Sequence, residues 1–509
     1  MKTDVQTPGR REISSVRAAL PWMVGAVGAF HLAFHLSPVW WLVLGYLGCL
    51  FELRRLATAR HAFYLGLVVG LGVFVPATTF LWTIFSAAAI PLWCILALFH
   101  AVFLLALQQV ETRWGGRWAV VLAPILWCGI EYFRSEVWWL RFSWLTAGSL
   151  LGADQAHWLR TLGVYGAGAV FMAFVAVGLG WPMTGKHPQL RRGGVLLLTV
   201  FCVGLLPRLP AGPSPRGGER VTVGGVQLEF PGVPEVVAAL DALIRERPQV
   251  QLIVLSEYTF DGPIPANVRQ WCRKHGKWLV AGGKQPIDSA SPADDKGRPR
   301  QLSLGSGGAA ESYYNTAFVV STNGEVVFSQ AKSRPIQFFK DGEPAPEQRL
   351  WDSPWGRLGI AICYDVSYRQ VMDRLVRMGA QALIVPTMDV EQWGDAEHRL
   401  NARMAVLRAA EYQLPLFRVA SSGISQLVGP EGRTQATAAF PGAGDRIFGE
   451  LQPVPSGGRI PLDAGLAPGC LYLSGAALAA LGWSSRRSWR SSAGRAVTDA
   501  KPPNAEEHD

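Results

Sequence analysis

The chain has 509 residues, 49% of them hydrophobic and only 17% charged, with 20 tryptophans and a formal net charge of +10. That composition over that length excludes a single ordinary soluble domain. Seven scattered cysteines (Cys49, Cys94, Cys128, Cys202, Cys272, Cys363, Cys470), with no CxxC or Cys/His spacing, argue against a disulfide framework or a zinc site.

After a polar, basic tail at residues 1–17, apolar runs follow at Ala18–Leu36, Val39–Leu53, Ala62–Phe85, Ile90–Leu107, Trp118–Phe133, Leu162–Trp181 and Val195–Leu206. They read as about seven transmembrane helices over residues 18–210, given the roughly 20 apolar residues that cross a bilayer. The first could pass for a signal peptide, but similar runs follow at once, so it reads as a retained span. The basic surplus lies beside these runs: Arg10, Arg11 and Arg17, then Arg54, Arg55 and Arg60, then Arg113 and Arg117, then Lys186, Arg191 and Arg192. The connections at Ser37-Pro38 and around Ser86 carry no charge. This alternation reads as membrane topology with a cytoplasmic N-terminus, not as nucleic-acid binding. An odd number of spans then puts everything after Pro210 outside the cytoplasm. The connection from Arg134 to Arg160 has mixed charge and carries Trp138, Trp139 and Trp144, and it reads as an interfacial loop on that outer side.

From 220 to 458 the chain repeats a β/α rhythm. Strands are expected at Val221–Leu228, Gln251–Leu255, Trp278–Ala281, Ala317–Ser321, Glu325–Ser329, Leu358–Ile362, Ala382–Val385 and Leu416–Ala420. Helices are expected at Pro234–Arg247, Asn267–His275, Val366–Met378 and Asp395–Tyr412. Asn323-Gly324 marks a hairpin, and Lys296 to Ala309 reads as a loop. The fold class is α/β: polytopic membrane helices, then a mixed sandwich domain with its active residues on loops at strand ends. A last apolar run, Cys470–Trp483, precedes Arg486, Arg487, Arg490 and Arg495. It predicts a final membrane helix over 468–484 and a basic polar tail over 485–509, disordered beyond Ser491.

Three residues stand where strands hand over to turns. Leu358–Ile362 ends in Cys363-Tyr364-Asp365, and a helix follows, so a nucleophilic thiolate would face backbone N–H groups able to hold an oxyanion. Alone, such a cysteine is more often a buried structural residue. Leu252–Ser256 ends in Glu257, a candidate general base or else a solvated surface acid. The strand after the hairpin delivers Lys332, able to stabilise negative charge or else an ordinary surface lysine. His398 is the histidine nearest in sequence to Cys363, on the long helix, so a Cys–His pair is not the obvious arrangement.

Taken together, Glu257, Lys332 and Cys363 in that order resemble the Glu-Lys-Cys triad of the nitrilase superfamily of carbon–nitrogen hydrolases. Joined to the multi-span region, the chain resembles the bacterial apolipoprotein N-acyltransferases of that superfamily from about Pro124 to about Gly432. Echoes include Glu131-Tyr132-Phe133-Arg134, Phe142-Ser143-Trp144-Leu145, Tyr314-Asn315-Thr316-Ala317 and Ser422-Gly423-Ile424. The resemblance implies a nitrilase-like α-β-β-α sandwich on a multi-pass protein of the bacterial inner membrane, with the catalytic domain on the periplasmic side. It implies transfer of a phospholipid acyl chain, through a thioester on Cys363, to the N-terminal amine of the diacylglyceryl-cysteine of an apolipoprotein. The partners are thus a phospholipid donor, an apolipoprotein acceptor and the bilayer, with no metal or other cofactor. Glu343, by motif the family's second glutamate at a stretched spacing, would orient Lys332 or assist Glu257. A backbone N–H near Tyr364 would help hold the oxyanion, and Trp144 and Trp393 would contact substrate.

The sequence also departs from these acyltransferases. Tyr364-Asp365 replaces the usual Tyr-Glu, and Cys-Tyr-Asp also occurs in soluble amidases of the superfamily. Thr387–Gly394 differs from the usual Asn-Asp-Ala-Trp-Phe-like loop. The alternative reading is therefore a membrane-anchored carbon–nitrogen hydrolase with water as acceptor.

Overall fold

The computed structural model describes residues 12–180, 219–287, 312–442 and 444–498. The expected span Val195–Leu206 and the loop at Lys296–Ala309 lie outside them. The N-terminal region is helical: α1 (Val16–His35), α2 (Leu42–Glu52), α3 (Ala59–Ala77), α4 (Phe80–Phe85), α5 (Ala89–Trp114), α6 (Gly116–Tyr132) and α7 (Ala156–Gly180). Among the described residues of this region, four stretches are long and apolar enough to cross a membrane: Val16–His35, Ala59–Ala77, Phe80–Trp114 and Ala156–Gly180.

The expected second and fifth spans are shorter. α2 has 11 residues, about 16 Å of helix against a hydrocarbon core of about 30 Å. It is flanked by 3-10 turns at Ser37–Val39 and Leu53–Arg55. α6 has 17 residues and continues as a π-turn over Phe133–Val137. The expected third span is broken at Thr78-Thr79, where Pro76 ends α3 and α4 restarts.

The two ends of this bundle differ. At one end Arg54 bonds Glu52 (3.2 Å) and Glu111 (3.0 Å), and Ile13 pairs with Leu56, gathering three of the charged connections. At the other end the neutral connections meet the α/β domain. Phe34 O accepts from Arg403 (3.3 Å), and Phe85 packs on Phe338 and Phe339.

The α/β domain comprises β1 (Val221–Val226), α8 (Val233–Glu246), β2 (Leu252–Leu255), α9 (Ala266–His275), β3 (Trp278–Pro286), β4 (Tyr313–Val320), β5 (Val326–Ala331), β6 (Leu350–Ser353), β7 (Gly356–Ile360), α10 (Arg369–Arg377), β8 (Ala382–Thr387), α11 (Asp395–Tyr412), β9 (Leu416–Ala420), β10 (Gln426–Val428), β11 (Thr434–Thr437) and β12 (Arg446–Leu451). The strands form two six-stranded sheets, β12-β1-β2-β3-β4-β5 and β11-β10-β9-β8-β7-β6. β1, β2 and β3 run parallel, as do β7, β8 and β9.

Strand periodicity explains the layers. In β2, Leu252 and Val254 face the second sheet, with Ile360, Ile384 and Val419 across the interface, while Ile253 and Leu255 face α8 and α9. In β8, Ala382 and Ile384 face inward, and Leu383 and Val385 meet α10 and α11. Strands buried on both faces need unbroken apolar runs, which is why they stand out in the sequence. The four strands not expected, β6, β10, β11 and β12, are edge strands or their neighbours, short and partly polar.

The last helix, α12, spans Asp463–Thr498, longer at both ends than expected and running through the tail beyond Ser491 that was expected to be disordered. Its Asp463–Trp483 part meets the length and hydropathy of a membrane span. Asp463 helps fix the α/β domain on the bundle. α7 is broken at Gly163 (φ +73°), and the N–H groups of Val164 and Tyr165 donate to Glu411 (2.9 Å) and Asp463 (3.0 Å). A Cβ at 163 would lie 2.0 Å from Asp463 Oδ1, so the break requires glycine.

Candidate active site

Parallel strands in each sheet end on the same side, which gathers the residues after β2, β7 and β8 into one place. Cys363 follows β7, is 4% exposed and has φ +51°, a left-handed conformation uncommon for a side-chain-bearing residue. It opens a 3-10 turn, Cys363–Ser367. The turn is tied down by Asp365, which accepts from the N–H groups of Ile362 (3.2 Å), Ser333 (3.0 Å) and Arg334 (2.7 Å). One carboxylate thus joins the cysteine turn to the segment after the lysine. Burial pushes the Asp365 pKa up to about 6 despite Lys332 and those N–H groups.

Glu257 and Lys332 are both buried, with Lys332 Nζ 2.9 Å from Glu257 Oε1. Asn315 Nδ2 donates to the same oxygen (2.5 Å) and the Met388 N–H to Oε2 (2.9 Å). The Cys363 thiol points at the Met388 carbonyl (3.7 Å). Gly282 lets β3 lie against this corner, since a Cβ there would meet Glu257 Cα at 2.6 Å.

Burial raises the Glu257 carboxyl, and the Asp341 charge adds to this while Lys332 opposes it. Burial and the Glu257 charge hold the Cys363 thiol well above its ordinary value. Burial would lower Lys332, but Asp341 and Glu257 outweigh it and keep the ammonium charged.

The second carboxylate on the lysine is Asp341, not Glu343. Asp341 Oδ2 lies 2.7 Å from Lys332 Nζ, and Asp341 also accepts from Asn315 (2.8 Å), Tyr258 (2.9 Å) and the Ile336 N–H (2.7 Å). Glu343 is exposed, two residues on and past the Gly342 turn (φ +78°). The local signal was an acid-Gly-acid run, and sequence order alone does not say which acid the turn points inward.

Two cavities meet at Cys363. One, of about 140 Å³, is lined mainly by apolar residues, among them Leu81, Ile84, Leu92 and Leu96 of the bundle and Tyr364 and Trp393 of the α/β domain. The other, of about 600 Å³, holds Glu257, Lys332, Asp341, Tyr258, Lys284 and Trp393. Cys363, Ile336, Phe339 and Trp393 line both. Trp144 lines the apolar cavity, donates to Ser367 Oγ (2.9 Å) and lies edge-on to Tyr364 at 5.3 Å, joining the segment after α6 to the cysteine turn. Trp138 and Trp139 of that segment are exposed.

Asp389, Glu397 and His398 are close enough to share an ion. Asp389, however, already accepts from Asn401 (2.7 Å) and pairs with Arg418, so a cation would sit beside a guanidinium.

Comparison with known families divides the chain as the fold does. A profile described as apolipoprotein N-acyltransferase N-terminal domain matches residues 25–177, and one described as carbon-nitrogen hydrolase matches residues 233–444. An apolipoprotein N-acyltransferase of Geobacter metallireducens is 24% identical over 436 residues, 73% of this chain and 78% of that protein. One of Allorhizobium ampelinum is 26% identical over 483 residues, covering 82% and 86%. The chain belongs to the apolipoprotein N-acyltransferases of the carbon–nitrogen hydrolase superfamily. A relative outside these acyltransferases, deaminated glutathione amidase of Yersinia enterocolitica (26% identical over 163 residues), aligns with 32% of this chain. The apolipoprotein N-acyltransferase matches span both the helices and the α/β domain, which together wall the apolar cavity.

Proposed function

We propose that the protein is an apolipoprotein N-acyltransferase of the bacterial inner membrane in which Cys363 carries the acyl chain, Glu257 is the general base and Lys332 stabilises the oxyanion. The observation that carries this reading is Cys363 at the junction of an apolar cavity walled by bundle helices and a polar cavity holding Glu257 and Lys332. Each buried CH₂ of an acyl chain is worth about 0.8 kcal/mol, so a chain in transit needs apolar walls from ester to thioester.

With the thiol held neutral, attack and proton removal go together. Glu257 takes the thiol proton as sulfur adds to the phospholipid ester carbonyl. Lys332 and a backbone N–H near Tyr364 hold the oxyanion. Collapse breaks the ester C–O bond, Glu257 returns the proton to the leaving alkoxide, and lysophospholipid departs. The diacylglyceryl-cysteine amine then adds to the thioester, Glu257 accepts its proton and returns it to sulfur as the C–S bond breaks, giving the amide and the free thiol. Trp144 and Trp393 would border the acyl chain.

Orientation follows from charge. The connections bearing Arg54, Arg60, Arg113 and Arg117 lie at the end away from the α/β domain, which supports a periplasmic catalytic domain by the positive-inside rule.

The test uses purified protein in detergent, a phospholipid with a labelled acyl chain, and intact-mass analysis before and after adding a diacylglyceryl-cysteine peptide. The expected result is an adduct on Cys363 that moves to the peptide amine and is absent in Cys363→Ala. Label released as free fatty acid regardless of peptide would overturn the acyltransferase assignment in favour of hydrolysis.

A further inference from the structure

The backbone of Met388 joins the two reacting groups. Its N–H, in the peptide from Thr387, donates to Glu257 Oε2, and its carbonyl, in the peptide to Asp389, accepts from the Cys363 thiol. Nothing about Met388's side chain fixes that peptide, but Asp389 is held on every polar atom. Its N–H donates to Ser421 Oγ (3.0 Å), and its carbonyl accepts from Ser421 Oγ (2.9 Å) and the Ser422 N–H (3.2 Å). Its carboxylate takes Asn401 of α11 on one oxygen and Arg418 of β9 on the other.

Asp389 is 0% exposed and Arg418 is 2% exposed, and Arg418 also donates to Ile424 O. A Cβ on Gly423 would fall 2.3 Å from Asp389 Oδ2, so the loop after β9 closes over the carboxylate without slack. Two residues on, the Glu391 N–H donates to Glu229 (2.8 Å), which also accepts from Ser422 Oγ (2.5 Å). The turn after β8 is therefore clamped from the ends of β1 and β9, one in each sheet. This exceeds what a solvent-facing loop needs, and its free end points at the chemistry.

We propose that Asp389, clamped by Arg418, Asn401 and Ser421, is a positioning residue that sets the Met388 peptide and through it the relative placement of Glu257 and Cys363. The inference rests on the roles proposed above for those two residues. A small misplacement of reacting groups from outside the site can cost about 10²-fold in rate, which sets the scale of the expected effect.

The test is Asp389→Asn in the full chain in detergent, with two readouts: the single-turnover rate of acyl-enzyme formation from labelled phospholipid, and the pH dependence of Cys363 alkylation by iodoacetamide. The groups facing Asp389 are Glu397 and His398 of α11 and Arg418 of β9. The Asp389 charge raises the thiol pKa, so Asp389→Asn is expected to move the alkylation midpoint to lower pH while acylation falls about 10²-fold with an unchanged KM for phospholipid. A merely structural residue would lower the melting temperature and the folded fraction but leave the midpoint and rate constant of the folded fraction as they were, and that result overturns the proposal.

Because Asp389→Asn leaves Arg418 buried without its partner and could prevent folding, Ser421→Ala is the second variant. It removes two bonds to the Asp389 backbone and no charge, and acylation is expected to slow about fivefold. Wild-type acylation rates in both folded variants also overturn it. Wild-type protein that forms no acyl-enzyme while the alkylation shift persists would count against the phospholipid donor and for the clamp.

Discussion

The two cavities at Cys363 differ in who builds them. The polar one is made by the α/β domain from strand ends and holds its groups with short bonds: Glu257, Lys332, Asp341, Asn315 and the Met388 N–H contact one another at 2.5 to 2.9 Å. The apolar one needs both regions, with α4 and α5 on one side and the cysteine turn, Phe339 and Trp393 on the other. Bond making asks for fixed dipoles, whereas holding an acyl chain asks only for apolar walls of the right size. Damage to the polar side should therefore slow chemistry for every donor, and damage to the apolar side should discriminate among donors.

The largest effect is expected from Cys363→Ala, which should abolish the adduct and lower transfer by at least about 10⁴-fold; intact mass and product assay read both. Asp341→Asn should lower acylation by about 10²-fold for long and short acyl donors alike. The same variant tests the sign of the electrostatics. Glu257 must be ionised to act and its pKa is raised, so the acid limb of the rate profile should lie above the ordinary glutamate value of about 4.3. Asp341 contributes to that rise, so Asp341→Asn should shift the limb to lower pH, and an unmoved or raised limb would refute the assignment of Glu257 as base.

Asp365→Asn puts an amide where three N–H groups need an acceptor, and a loss of about tenfold in acylation is expected, with KM little changed. On the apolar side, Ile84→Trp should raise KM for a long-chain donor by about tenfold and leave a short-chain donor nearly untouched. Equal loss for both would mean that this cavity does not hold the chain. Glu343→Gln is the smallest expected change, within about twofold for an exposed side chain, and a loss matching that of Asp341→Asn would restore Glu343 to the site.

The sequence by itself determined the parts whose physics is local. Strands buried on both faces had to be largely apolar, so β2, β8, β9 apart from Arg418, and the Leu358–Ile360 end of β7 were legible. The turn signal at Asn323-Gly324 marked the β4–β5 hairpin, which closes through a three-residue loop, Thr322–Gly324, with Gly324 at φ +78°, and Asp395–Tyr412 was readable as a helix end to end. Edge strands such as β11, with a largely polar Thr434–Thr437, carry no such signal because solvent covers one side.

Tertiary structure alone decided what depends on long-range packing. It selected Asp341 over Glu343, because the Gly342 turn aims one carboxylate at Lys332 and the next at solvent. It made the Met388 peptide part of the site, a role that no side chain at 388 could announce. It also built the apolar cavity from helices and loops more than 200 residues apart, as between Trp144 and Ser367. Side-chain chemistry is written one residue at a time, but a cavity is defined by what closes around it, and that is fixed only when both regions have folded together.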